Sequence, residues 1–362
     1  AILAGIFVYS IFFEGLLNGM DYRNKSEILQ ITAPVGWSLV VVSLIELILA
    51  YTLPQKLETD RNLHFNGREY LTGKYLKDNV KVVFSREIIF LSIIGLSVFW
   101  AISQVVLAAF PAFAKETLSI TNTVIIQGLM ACAGIGIIMG SLIAGNFSRT
   151  YIETGLVPIG SMGIVITLLL LPLLDHAFLL ALNFIAWGIF GGILIIPLNA
   201  LIQFHARENE SGRILAGNNF IQNISMLGFL CLTVVFALSG VSSTGLFIIL
   251  TVVAMGGTIY TVCKLPQSLI RLIVRFVIGR KYRLQVLGFN NMPERGGVLM
   301  LGNHISWIDW AIVQMATPRH IHFVMIRNIY ERWYLKWFLD IFGVIPISGG
   351  ASKSALEKVT GY

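Results

Sequence analysis

Apolar residues come in long blocks along the first 264 positions and in short alternating runs after them. Eight blocks, 1–18, 33–53, 88–110, 122–146, 155–174, 177–200, 214–238 and 244–264, reach or approach the ~20 residues a helix needs to cross a bilayer. Residues 266–283 are too charged to cross. Arg271 and Arg275 lie four apart on one helical face, and Leu269, Ile270, Ile273, Phe276 and Val277 supply apolar surface, so this segment predicts an amphipathic helix lying on the membrane interface. From 284 on, β-rich runs (284–289, 298–301, 320–325 and 344–347) alternate with helical ones (307–316, 329–342 and 352–359), which predicts an α/β domain.

Composition narrows this to a polytopic membrane protein. The chain is 56% hydrophobic and 12% charged, with a mean hydropathy of +0.78, against an apolar share of roughly 45–50% in soluble domains. Its net charge of +7 does not point to nucleic acid, because the cations sit in loops beside apolar blocks and no nucleic-acid motif is present. The segment 54–87 carries Lys56, Arg61, Arg68, Lys74, Lys77, Lys81 and Arg86, and its same-side partners add Arg149, Arg207 and Arg213. The opposite loops hold only Arg23, Lys25 and Lys115. Cations are retained in the cytoplasm, so 54–87 reads as a cytoplasmic central loop and everything after 264 as cytoplasmic. Cys132, Cys231 and Cys263 lie in or beside apolar blocks without metal-ligand spacing, so they read as packing residues, with neither a disulfide nor a metal site expected. The first and last residues both fall inside patterned stretches, so the chain reads as a fragment of a longer one.

Two blocks precede the basic loop and six follow it. This grouping resembles the major facilitator superfamily, with its two six-helix halves and long cytoplasmic connection. The resemblance implies an α-helical polytopic membrane protein retaining the last eight of twelve helices over 1–265. Gly140-Ser-Leu-Ile-Ala-Gly145-Asn-Phe-Ser-Arg149 resembles the superfamily's glycine-rich loop motif in its second-half copy, where small residues permit close helix approach. Phe99-Trp100, Phe110-Pro111, Ile196-Pro-Leu-Asn199-Ala-Leu-Ile-Gln203 and Gly217-Asn218-Asn219-Phe-Ile-Gln222-Asn223 are similar to the bacterial lysophospholipid transporter branch.

The candidate chemistry lies at Gly302-Asn303-His304-Ile-Ser306-Trp-Ile-Asp309-Trp310. A histidine and a carboxylate suggest a general base and the group that orients it. Five helical residues turn about 500°, which would leave the two side chains roughly 140° apart on one regular helix. They can cooperate only if His304 lies in the turn before a helix, with Asn303 or Ser306 capping it and Asp309 looking back from its first turn. Pro318 then bounds that helix.

This nonapeptide, with Leu287-Gly288, Pro293 and Gly296-Gly297 before it, resembles the glycerophospholipid acyltransferase family, marked by His, four residues, then Asp. The resemblance implies that 284–362 is the N-terminal part of an α/β acyltransferase domain of the 2-acylglycerophosphoethanolamine type. His304 then removes a proton from a lysolipid hydroxyl and Asp309 holds the imidazole. Acyl-CoA or acyl carrier protein brings the acyl group as a thioester, and no bound cofactor is implied. Gly343-Val-Ile-Pro346-Ile-Ser348 stands where the family carries a substrate-binding arginine, with Ser348 at that position; Arg327, Arg332 and Lys353 are alternative cations, or a solvated or lipid-headgroup face. A further family block is expected beyond Tyr362, followed by an acyl carrier protein ligase domain, and without that block the fragment is expected to be inactive.

Together the two resemblances imply lysophospholipid flipping across the bacterial inner membrane and reacylation at its cytoplasmic face. Rival readings are a membrane-anchored 1-acylglycerol-3-phosphate acyltransferase and a generic exporter fused to an acyltransferase. In the spans, Glu46 is the ionisable candidate. Asn199, Gln203 and the i,i+4 pairs Asn218/Gln222 and Asn219/Asn223 either line a polar headgroup cavity or bond helix to helix.

Overall fold

The computed structural model describes residues 25–52, 66–149, 151–207, 210–282, 284–288, 291, 293, 296–306, 308–317, 319 and 321–348. The expected span 1–18 and helix 352–359 lie outside these. Helix α1 is Lys25–Tyr51. It begins eight residues before the apolar block at 33, because Lys, Glu, Leu and Gln extend a helix as readily as apolar residues do. The segment read as a loop carries two helices, α2 (Gly67–Leu71) and α3 (Lys74–Phe84). α3 is amphipathic and buries Val83 against Gly217, where an added Cβ would meet Val83 Cγ2 at 2.7 Å.

Six helices long and apolar enough to cross a membrane follow: α4 (Glu87–Thr117), α5 (Thr123–Phe147), α6 (Leu156–Leu170, prolonged by a 3₁₀ turn to Leu173), α7 (Ala177–His205), α8 (Ser211–Leu238) and α9 (Ser243–Lys264). α4 runs through Pro111, past the apolar block's end at 110; packing neighbours tolerate a proline that would stop a soluble helix. Its buried residues Ile89, Ile93, Leu96, Phe99, Ile102, Val106, Phe110 and Phe113 recur every three or four positions, making α4 the spine of the bundle against α7, α8 and α9.

Lipid is as apolar as leucine, so close packing, not apolarity, must join these helices. α5 and α7 meet through Gly136 and Gly140 on one side and Gly188 and Gly192 on the other. A Cβ at Gly188 would sit 2.0 Å from the Ala133 carbonyl oxygen, and one at Gly140 2.1 Å from that of Ile189. Gly145, the other glycine of the loop motif, has open space instead. Phe110 meets Phe184 edge-on at 4.8 Å and Phe113 meets Phe247 at 5.3 Å. Buried hydroxyls bond back within their own helices, Ser97 to the Ile93 carbonyl at 2.7 Å and Thr251 to that of Phe247 at 2.8 Å. The three cysteines are free, and Cys231 and Cys263 are exposed, so only Cys132 is partly packed.

After α9 the chain turns into α10 (Pro266–Gly279), then α11 (Asp309–Ala316), β1 (Val324–Ile326), α12 (Arg327–Tyr330), α13 (Trp333–Ile341) and β2 (Ile345–Ile347). β1 and β2 pair in parallel, with Met325 opposite Pro346. The expected strands over 284–289 and 298–301 are absent among the described residues. Apolar pattern alone makes no strand: Leu299 and Leu301 are exposed and no neighbouring ladder takes up their backbone groups. The expected helix 329–342 is broken at Glu331 and Arg332, and Tyr330 Oη donating to Asp340 Oδ1 at 2.5 Å clamps the two pieces.

Candidate active site

The helix carrying Asp309 starts at Asp309 itself, with Ile308 in the capping position and no side-chain cap. The carboxylate bonds backward instead: Asp309 Oδ2 takes the Ile305 amide at 2.7 Å, the Ser306 amide at 2.8 Å and His304 Nδ1 at 2.9 Å. The predicted cap by Asn303 or Ser306 is therefore replaced. Among the described residues Ser306 Oγ accepts the Ile308 amide alone, at 3.4 Å, and Asn303 bonds to neither member of the pair. One carboxylate oxygen satisfies two turn amides and orients the imidazole, which solves the angular problem a regular helix would pose.

Those contacts set the electrostatics. The Ser306 and Ile305 amides, then the His304 hydrogen bond, hold the Asp309 carboxyl below its ordinary value of 3.8. An ionised Asp309 can only accept, so Nδ1 donates, leaving Nε2 of the neutral ring to receive a proton. His304 is 77% exposed, so Nε2 is open to a substrate.

The support beneath the pair comes from residues outside the His304–Asp309 motif. Arg319 donates to the Pro293 carbonyl at 2.6 Å and to that of Gly296 at 2.6 Å, tying the lead-in segment to the chain after α11. Buried Gln314 donates to the Arg319 carbonyl at 3.0 Å. Trp310, next to Asp309, packs against Phe338 at 5.2 Å and Phe342 at 5.4 Å. α11 ends at Ala316 and Thr317 is extended (φ −139°, ψ 143°), as the residue before a proline must be.

Arg327 and Ser348 follow the paired residues Ile326 and Ile347, so both stand at the C-terminal edge of the two parallel strands, where open α/β sheets bind ligands. Arg327 is half exposed and 4.0 Å from Glu331; Ser348 is exposed and Lys353 lies outside the described residues. In the bundle, Asn218 is buried and accepts from Gln222 Nε2 at 2.7 Å, while Asn223 bonds to the Asn219 carbonyl at 2.7 Å and Asn199 to that of Ile195 at 3.0 Å. These bonds stay within single helices, not between them. Gln203 and Glu46 are exposed.

A second polar cluster lies where the bundle meets α10. Arg271 and Arg275 meet one carboxylate: Arg271 Nη2 is 2.9 Å from Glu153 Oε1 and Arg275 Nη1 3.7 Å from Glu153 Oε2, while Ile273, Phe276 and Val277 of the same helix stay exposed. Glu153 is fully buried. The one signal in sequence was an acid between two apolar blocks on the basic side.

The fold and site define a polytopic helical membrane protein carrying a histidine–aspartate domain after its last span. The family model described as Major Facilitator Superfamily matches residues 29–228, more than half of the chain, and the one described as Acyltransferase matches 283–360. The chain belongs to the major facilitator superfamily, with an acyltransferase domain fused behind it. Among curated relatives, the lysophospholipid transporter LplT of Klebsiella pneumoniae strain 342 is 29% identical over 143 residues, 38% of this chain and 34% of its own length. That of Citrobacter koseri is 29% identical over 153 residues, covering 41% of this chain and 38% of the relative. The chain thus spans little more than a third of the relatives it matches. No solved structure matches it.

Proposed function

We propose that the bundle moves lysophospholipid across the bacterial inner membrane and that His304 and Asp309 direct its reacylation on the cytoplasmic side. The relatives named as lysophospholipid transporters support the first half. The hydrogen bond from His304 Nδ1 to Asp309 Oδ2 carries the second. In this reading Nε2 takes the proton of the lysolipid hydroxyl as its oxygen attacks the thioester carbonyl. The C–O bond forms, the C–S bond breaks, and the imidazolium returns the proton to the departing thiolate of coenzyme A or acyl carrier protein. Exposed Asn219 and Asn223, buried Asn218 and its partner Gln222, and Asn199 and Gln203 supply hydrogen bonds to the headgroup along the transport path, with Glu46 as an intramembrane carboxylate. Ser348 in place of an arginine disfavours a phosphate-monoester acceptor, since a neutral hydroxyl cannot balance a dianion; Arg327 beside it supplies one positive charge for a phosphodiester.

The test uses spheroplasts expressing the full-length protein and labelled lysophosphatidylethanolamine. His304→Ala should leave uptake intact and lower conversion to diacyl lipid by roughly 10³-fold or more. Conversion that persists in that variant would sink the assignment of the base. Uptake no different from spheroplasts lacking the protein would reduce the spans to an anchor.

A further inference from the structure

Resting on that reading, we propose that α10 is a locked mount: Glu153, fully buried at the end of the bundle, acts as a positioning residue that holds the acyl-transfer domain against the half formed by α4 to α9, so that lysolipid leaving the bundle reaches His304 directly. One face of α10 is fastened to the bundle. Glu153 Oε1 accepts from Arg271 Nη2 at 2.9 Å and from the Gly155 amide at 3.3 Å, and Oε2 accepts from Tyr151 Oη at 3.0 Å. Arg275 Nη1 donates to the same Tyr151 hydroxyl at 3.1 Å, and the Tyr151 ring lies 5.3 Å from the Arg271 guanidinium carbon and 5.7 Å from that of Arg275. Thr154 Oγ1 bonds to Ser268 Oγ at 2.9 Å, and a Cβ on Gly155 would stand 2.4 Å from the Ser268 carbonyl oxygen, so the two backbones touch.

The other face of α10 is fastened to the acyltransferase domain. Gln267 Nε2 donates to the Ile341 carbonyl at 2.5 Å, and Ile270 packs on Leu339, Phe342 and Val344. Trp310, one residue from Asp309, packs into the same cluster. A continuous line of contacts therefore joins Glu153 to the carboxylate that orients His304.

A tether needs none of this. Burying a carboxylate costs several kcal/mol unless it is paired and its lone pairs are satisfied, and hydrophobic packing would join two elements at lower cost. What a buried charge cluster adds is one allowed register and orientation. Lipid headgroups are the competing partner for these arginines; Arg271, only 8% exposed, has its ion pair already made, while Arg275, 36% exposed, reaches Glu153 at 3.7 Å and keeps a surface that headgroups can meet.

The experiment uses the full chain and the variant Glu153→Gln, with two readouts. Hydrogen exchange in detergent should show α10 amides exchanging about 10-fold faster, with α5 and α7 unchanged. In proteoliposomes, conversion of lysophosphatidylethanolamine offered from the side opposite the acyltransferase domain should fall at least about fivefold relative to conversion of the same lipid in mixed micelles. Adding Thr154→Cys with Ser268→Cys and oxidising should restore that ratio, and reduction should abolish it again. Unchanged exchange in α10 overturns the mount; faster exchange with an unchanged ratio, or no recovery on oxidation, overturns the positioning role. If the unmodified chain converts micellar but not delivered lipid, the transport reading has failed, and the exchange readout still decides the mount.

Discussion

Asp309 does two tasks with one oxygen, and they separate on substitution. Asp309→Asn keeps the side-chain size but replaces an acceptor-only carboxylate by an amide, so the imidazole loses its fixed tautomer. Turnover should fall by about 10³ to 10⁴-fold with little change in KM, measured as diacyl lipid formed from micellar lysolipid; a loss confined to KM would assign Asp309 to binding instead. The same contacts predict a pH response. Because the folded carboxyl titrates below its ordinary value of 3.8, its contribution to the turn is complete above 3.8 and is lost as pH falls through the lower folded value. In the full chain labelled with ¹⁵N-isoleucine, the Ile305 amide shift should titrate with a midpoint below 3.8; a midpoint at or above it would contradict the hydrogen bonds. The pairing of His304 with Asp309 was legible from residue type and spacing, but the capping partner was not. Asn, Ser and Asp all cap helices, and which one does depends on where the helix begins, a matter of one or two residues that pattern cannot resolve.

Among the elements, the apolar helices were legible because their length is dictated by the bilayer and their composition by lipid. Their contacts were not. The glycine-rich motif predicts close approach, and Gly140 makes one while Gly145 does not; Gly188 and Gly192, outside the motif, supply the other side of the contact. Gly188→Val should force α5 and α7 apart, destabilising the bundle by about 1–3 kcal/mol or more, seen as a lower thermal midpoint of the full chain in detergent. Gly145→Ala, into open space, should be neutral or slightly stabilising because alanine is the better helix former. Equal behaviour of the two variants would refute the α5–α7 packing. The short strands were poorly legible for the opposite reason. A strand exists only by virtue of its neighbour, so Val324–Ile326 and Ile345–Ile347 form where they meet, while the equally apolar 298–301 stays unladdered among the described residues.

For the molecule as a whole, the order of parts was written along the chain: apolar blocks, an amphipathic segment, then alternating short runs around a histidine and an aspartate. Local periodicity and residue chemistry sufficed for that, since each part declares itself within some twenty residues. The attachment between the parts was not written there. Arg271 and Arg275 carry the pattern of an interfacial helix, and nothing nearby in sequence names their partners, because Glu153 and Tyr151 lie more than a hundred residues earlier. The Glu153→Gln experiment belongs to this scale, since it asks whether two domains act as one body. Sequence by itself determined what each segment is, an apolar helix, an amphipathic one or a histidine–aspartate pair, because those properties are set by solvent preference and bond geometry over short range. Only the tertiary structure decided which charges meet and which face of α10 is buried, because a buried ion pair is chosen by the packing of distant segments that excludes water from both partners at once.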